Sequence, residues 1–113
     1  MTWRKFQAEV RSVFLTSADT GYETFSSEWI AADTDGGAIT INAPVGPRDG
    51  DTFIVWDYGR NFNVNNATIS FGAEKFESVA GVNFNCNIRD RIYVFCYKNS
   101  TTGWTEFEWR LFA

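Results

Sequence analysis

The sequence predicts one small all-β domain, an antiparallel sandwich or barrel. Three observations carry this. Short runs alternate apolar and polar residues with a period of two, and turn-forming residues punctuate them every 8–12 residues or so. Both prolines, Pro44 and Pro47, fall in one turn region, where neither removes a ladder hydrogen bond. At 113 residues the chain has length for one domain, with about two thirds of its unfolded surface buried on folding.

The first segment fits two periods. Phe6, Ala8, Val10, Ser12 and Phe14 alternate as a strand, while Trp3, Phe6, Val10, Val13 and Phe14 also form a helical stripe. The propensities of Val10, Val13 and Phe14 favour strand, with helix as the alternative. Ala38–Asn42 alternates, with Ile39 and Ile41 on one face. Thr52–Tyr58 is apolar on both faces, as a central strand would be. Arg60–Asn65 sets Phe62 and Val64 against Asn61, Asn63 and Asn65, and Ile69 and Phe71 continue the alternation after Thr68. Val82–Ile88 alternates apolar residues with Asn83, Asn85 and Asn87. Ile92–Tyr97 is apolar throughout and is expected to be the most buried strand. Trp104–Phe112 places Phe107, Trp109 and Leu111 opposite Glu106, Glu108 and Arg110, so those two acids are expected to face outward. The turns are Asp35-Gly36-Gly37, Pro47-Arg-Asp-Gly50, Tyr58-Gly59, Asn65-Asn66 and Asn99–Gly103.

Composition narrows function. Net charge is −4 and the pI is near 4.7, so the basic footprint of a nucleic-acid binder is missing. The longest apolar run, Ile92–Tyr97, is far short of the roughly 20 residues that span a bilayer. Gln7, Glu9 and Arg11 interrupt the N-terminal stretch, which therefore does not read as a secretory signal. Histidine is absent, and with it the commonest general base and metal ligand. A serine nucleophile would need Lys5, Lys75, Lys98 or a carboxylate as its base. The acids lie mainly in turns (Asp33, Asp35, Asp49, Asp51, Asp90), and no pair suggests glycoside hydrolysis. The expectation is a protein that is not an enzyme and needs no metal or other cofactor.

Asp33-Thr-Asp35-Gly36 opens like a calcium loop, but Gly37, Ala38 and Pro44 fill positions where an EF-hand needs a ligand, a glycine and a glutamate. It reads as a turn before the Ile39/Ile41 strand. Asp57 shares parity with Phe53 and Val55 and is expected to point inward, fixing the following turn by accepting backbone N–H bonds. Cys86 and Cys96 are too few for a disulfide framework. In a hairpin turning at Arg89-Asp90, Cys86 would face Tyr93 and both thiols would be free; a disulfide would need another register. The two asparagine rows are the least ordinary feature, because Asn is depleted in strands. Their amides suit a solvated face, a polar subunit interface or sugar hydroxyls. Asn66-Ala-Thr68 and Asn99-Ser-Thr101 match glycosylation sequons, here read as chance.

Spread over about residues 29–104 is a longer pattern: Asp33-Thr-Asp-Gly-Gly-Ala-Ile-Thr-Ile-Asn-Ala-Pro44, Gly50-Asp51, Phe53-x-Val55-x-Asp57, Phe62 leading to Asn65-Asn66-Ala-Thr-Ile69, and Tyr97 before Gly103-Trp104. It resembles a small β module of tailed-bacteriophage virion proteins found in tail, collar and fibre components. Ala43-Pro44 stands where that family has Leu-Pro, and Phe76-Glu-Ser78 where it has Ile-x-Gly. Residues 1–28 have no clear counterpart and are expected to form an N-terminal strand or docking segment of the same domain, with 29–113 as the sandwich-like module. The resemblance implies a non-enzymatic virion protein, made in the host cytoplasm. It would act in assembly or attachment as a homo-oligomer, a trimer for preference, among other virion proteins. The candidate contact residues are Asn61, Asn63, Asn65, Asn83, Asn85, Asn87, Trp3, Trp29 and Tyr58. The alternative is a carbohydrate-binding sandwich for a host surface glycan, with Tyr58, Phe62 and the asparagine rows as its platform. Eleven Phe, five Trp and four Tyr make 18% of the chain aromatic. Trp3, Tyr22, Phe25, Trp29, Tyr58 and Trp104 lie outside the alternating pattern and mark where a partner surface is expected.

Overall fold

A computed structural model describes residues 11–99 and 107–113. The strands are β1 (Arg11–Leu15), β2 (Tyr22–Glu23), β3 (Glu28–Ala32), β4 (Ile39–Asn42), β5 (Thr52–Asp57), β6 (Ala67–Ser70), β7 (Lys75–Phe76), β8 (Val79–Ala80), β9 (Asn83–Cys86), β10 (Ile92–Asn99) and β11 (Phe107–Leu111). They form a seven-stranded sheet ordered β1-β3-β5-β10-β11-β7-β8 and a four-stranded sheet ordered β2-β4-β6-β9. The result is the small sandwich-like all-β fold that the alternating runs predict.

The pairing departs from the antiparallel expectation. From β1 to β6 the chain changes sheet at every strand, so β1, β3 and β5 pair in parallel in the larger sheet, and β2, β4 and β6 in the smaller. Parallel neighbours need a long crossover, and here each crossover contains a strand of the opposite sheet. Turns such as Asp33–Ala38 therefore cross the roughly 10 Å between layers instead of closing hairpins. Antiparallel pairing enters later, where β9 joins β6, and β10 inserts between β5 and β11. The Cys86–Tyr93 hairpin does not form, because β9 and β10 lie in different sheets. Both cysteines are free thiols. Burial pushes the Cys86 thiol far above its usual range, which keeps it unreactive.

Residues 11–28 belong to the sandwich, giving β1 to one sheet and β2 to the other. Arg11–Leu15 is strand, as the β-branched residues favour; the earlier part of that ambiguous segment, with Trp3, lies outside the described residues. Between β1 and β2 a single 3-10 turn (Ser17–Asp19) carries the chain across. Thr16 Oγ1 accepts from the Ala18 N–H at 3.3 Å, and the Asp19 carboxylate accepts from the Thr16 N–H at 2.9 Å.

Inward-facing residues of both sheets make one core: Ile30, Phe53, Val55, Tyr93, Phe95 and Trp109 from the larger, Ile39, Ile41, Ala67, Ile69 and Cys86 from the smaller. Its centre is aromatic. Phe53 stacks on Phe95 with centroids 4.9 Å apart and meets Trp109 edge-on at 5.2 Å, while Phe71 stacks on Phe76 at 4.6 Å. Such pairs add about 0.5–1.5 kcal/mol each beyond the area they bury. β10 is central but not buried on both faces: Tyr93, Phe95 and Tyr97 point inward, whereas Ile92 is exposed. Glu108, expected outside, is buried, accepting a hydrogen bond from the Ser78 hydroxyl at 3.1 Å with Arg110 Nε at 3.6 Å. The strained turn between β7 and β8, with Glu77 and Ser78 both at positive φ, carries Ser78 to that carboxylate.

Two phenols at the core's margin give the fold a measurable alkaline limit. Tyr22 donates to Glu28 at 2.9 Å and Tyr97 donates to Glu74 at 2.7 Å. Burial, then the hydrogen bond to the carboxylate, pushes each phenol from 10.0 up to about 12. Above pH 10 the unfolded chain releases these protons while the folded chain keeps them. The stability they contribute is therefore complete below pH 10 and is lost as pH rises toward 12. Urea midpoints measured from pH 9 to 11.5 should fall over that window, and Tyr97→Phe should flatten the slope; an unchanged slope would remove Tyr97 from the account.

Candidate functional site: an aromatic sheet face and an uncharged sheet edge

Residues paired across a sheet point to the same side, so the registers define the outer face of the seven-stranded sheet. One row runs Phe14, Ala31, Trp56, Ile92 across β1, β3, β5 and β10. The next runs Ser12, Trp29, Ile54, Val94. Neither row contains a charge, yet both face outward: Trp29 is 44% exposed, Tyr58 52%, Ile92 53% and Phe14 54%. Tyr58, just past β5, packs edge-on against Phe14 at 5.1 Å and Trp56 at 5.4 Å. Within this face Ser12, Trp29, Ala31, Trp56 and Ile92 line an open groove of about 330 Å³.

The loop beside this face is held by Asp57. Its buried carboxylate accepts from the backbone N–H groups of Asn61 at 2.9 Å, Phe62 at 3.1 Å and Asp90 at 3.0 Å. This is the inward, turn-fixing role expected of it, extended to a second loop. Arg60 donates to Asp90 from Nε at 2.8 Å and from Nη2 at 3.3 Å, and both residues have positive φ. Gly59 packs so closely on Asp33 that a Cβ there would collide with its carboxylate. Asp33 Oδ1 also accepts from the Asp35 N–H at 3.0 Å, the tight turn expected before β4.

The loop replaces an expected strand. Residues 61–65 form turns, with Phe62 inserted fully into the core, Asn63 exposed, and the Asn65 amide donating to the Thr34 carbonyl at 2.9 Å. Asn61, Asn63 and Asn65 thus do not share a strand face, because Phe62 must bury itself where the chain crosses between sheets. Phe62 offers no ring to a ligand. Tyr58 and Trp29 do, on the outer face. The second asparagine row keeps its strand: Asn83 and Asn85 lie exposed on β9 and Asn87 just beyond it. Asn85 Oδ1 accepts from the Thr68 hydroxyl of β6 at 2.9 Å.

Among the described strands, β9 is the outermost of its sheet. Exposed edges are usually blunted by brevity or charge. β2 and β8 have two residues each, and β1 begins with Arg11, whereas β9 and its flanks, Val82–Ile88, carry no charge and no proline. A further hollow of about 250 Å³ at one end of the sandwich is lined in part by Glu23, Asn42, Ser70 and Glu74. Glu23 already accepts from the Asn42 amide at 2.6 Å and Glu74 from Tyr97. No group of three metal-ligating side chains occurs among the described residues.

Alternation and parity pointed to Asp57 and the β9 asparagines. They missed the aromatic groove, because Trp29, Trp56 and Ile92 become neighbours only through parallel β3–β5 and antiparallel β5–β10 pairing. A scan of protein-family models finds none that matches this chain, and a search of curated proteins finds no match either.

Proposed function

We propose that this protein is a non-enzymatic structural component of a bacteriophage virion, part of a tail, collar, fibre or decoration, acting in assembly or attachment as a homo-oligomer. The observation that carries self-association is the uncharged β9 edge with its exposed Asn83 and Asn85. An edge strand offers unpaired backbone N–H and C=O groups to another chain. Asn amides donate and accept, so a second copy satisfies them without excluding a charge. The virion setting, contact with other virion proteins and the preference for a trimer come from the resemblance over residues 29–104.

Light scattering at tens of micromolar tests this reading. A trimer gives three times the chain mass of 12.9 kDa. The double variant Asn83→Lys/Asn85→Lys, which puts like charges on the edge, should shift the particle to monomer with unchanged circular dichroism. A clean wild-type monomer would sink self-association.

A further inference from the structure

We infer that the groove between Trp29 and Trp56 is a binding site for a neutral sugar ring of a glycan. The inference is independent of the β9 edge, which belongs to the other sheet.

Size comes first. The uncharged rows cover four strands and two side-chain rows, roughly 300 Å² from ordinary strand spacings. A stable protein interface needs about 800 Å² from each partner, so this face is too small to hold a second copy by itself. The groove volume of about 330 Å³ instead falls at the small end of ligand sites. A patch of this extent matches the largest apolar patch on a typical monomer, which is often functional.

Chemistry then selects the ligand. The lining is two indoles, an isoleucine and an alanine, with the Ser12 hydroxyl and the two indole N–H groups as its polar side-chain groups. No charged side chain among the described residues lines it, so an anionic ligand would find no counterion. A pyranose ring presents a flat face of C–H groups with a rim of hydroxyls. The C–H face meets the electron-rich face of an indole, and the rim meets the donors. The edge-on contacts of Tyr58 with Phe14 and Trp56 hold these rings before any ligand arrives, which lowers the ordering cost of binding.

The test uses the full chain on a glycan array printing neutral hexose and N-acetylhexosamine oligosaccharides beside sialylated and uronate-containing ones. The best binder is then titrated by tryptophan fluorescence. Saturable binding to neutral glycans is expected, weakened at least tenfold by Trp29→Ala and by Trp56→Ala, with Trp56→Phe retaining part of it. Trp29 is nearly half exposed, so Trp29→Ala should fold as wild type, and the oligomer mass should not change in it. Ala31→Glu, which places a charge in the groove, gives a second folded variant and should abolish binding. Absence of binding at millimolar glycan, binding confined to anionic glycans, binding of laurate in place of sugar when laurate is titrated in the same fluorescence assay, affinity unmoved by Trp29→Ala and Ala31→Glu, or loss of the oligomer in Trp29→Ala would each overturn the assignment.

Discussion

Asp57→Ala should lower the unfolding free energy by about 2–4 kcal/mol, since a buried N–H stripped of its acceptor costs about 1–3 kcal/mol, and the Phe62 N–H is buried while those of Asn61 and Asp90 are partly so. The carboxylate is the common acceptor for Asn61, Phe62 and Asp90, so it ties the loop after β5 to the loop before β10. Asp57→Asn keeps one carbonyl acceptor but presents an amide where N–H groups converge, and should cost part of that amount. Urea unfolding reads both. A lower midpoint with an unchanged slope is expected for a purely native-state effect. A loss below 1 kcal/mol for the alanine variant would mean that the two loops hold themselves. The aromatic face should register the same change, because Tyr58 sits at the start of the released loop.

Phe53→Ala is the second large effect, at about 3–5 kcal/mol. Phe53 is fully buried on central β5, stacked on Phe95 and edge-on to Trp109. Its removal subtracts the transfer free energy of a phenyl group, opens a cavity beside two rings that cannot both move in, and ends two aromatic contacts. Phe53→Leu keeps much of the volume and should cost clearly less. The near-ultraviolet circular dichroism of Trp109 supplies a local readout: it should weaken in the alanine variant even below the unfolding midpoint. Equal stability for the alanine and leucine variants would show that the neighbouring rings close the gap.

The fold class was legible because period-two alternation survives any pairing scheme. Ile39/Ile41, Phe53/Val55 and Phe84/Cys86 point inward whichever strand lies beside them. Pairing itself was not legible, since parity says which face is buried but nothing about neighbours. Reading Asp35-Gly36-Gly37 and Asn65-Asn66 as ordinary turns left their reach between the layers unseen. β3 escaped notice because Glu28 breaks its apolar pattern. That carboxylate is buried all the same, held by the Tyr22 hydroxyl, by the Phe25 N–H at 2.9 Å and by Arg11 at 3.5 Å. Glu108 misled in the same way: a polar residue at an outward position reads as solvated until a distant hydroxyl, Ser78, is brought to it. The binding surface was half legible. The rings lying outside the alternation included Trp29 and Tyr58, but Trp56 sat inside a strand that reads as core.

The late insertion of β10 has a consequence for how the chain reaches this state. During synthesis β1 to β6 emerge first and can assemble both parallel ladders, yet the central position between β5 and β11 stays vacant until residues 92–99 are available. Until then β5 presents an apolar, unpaired edge carrying Phe53 and Val55, the arrangement most prone to join another nascent chain. With so few hairpins to close early, most ordering must wait for contacts between segments distant in sequence, which slows folding. A chain cut short before Ile92 should therefore be insoluble rather than merely less stable.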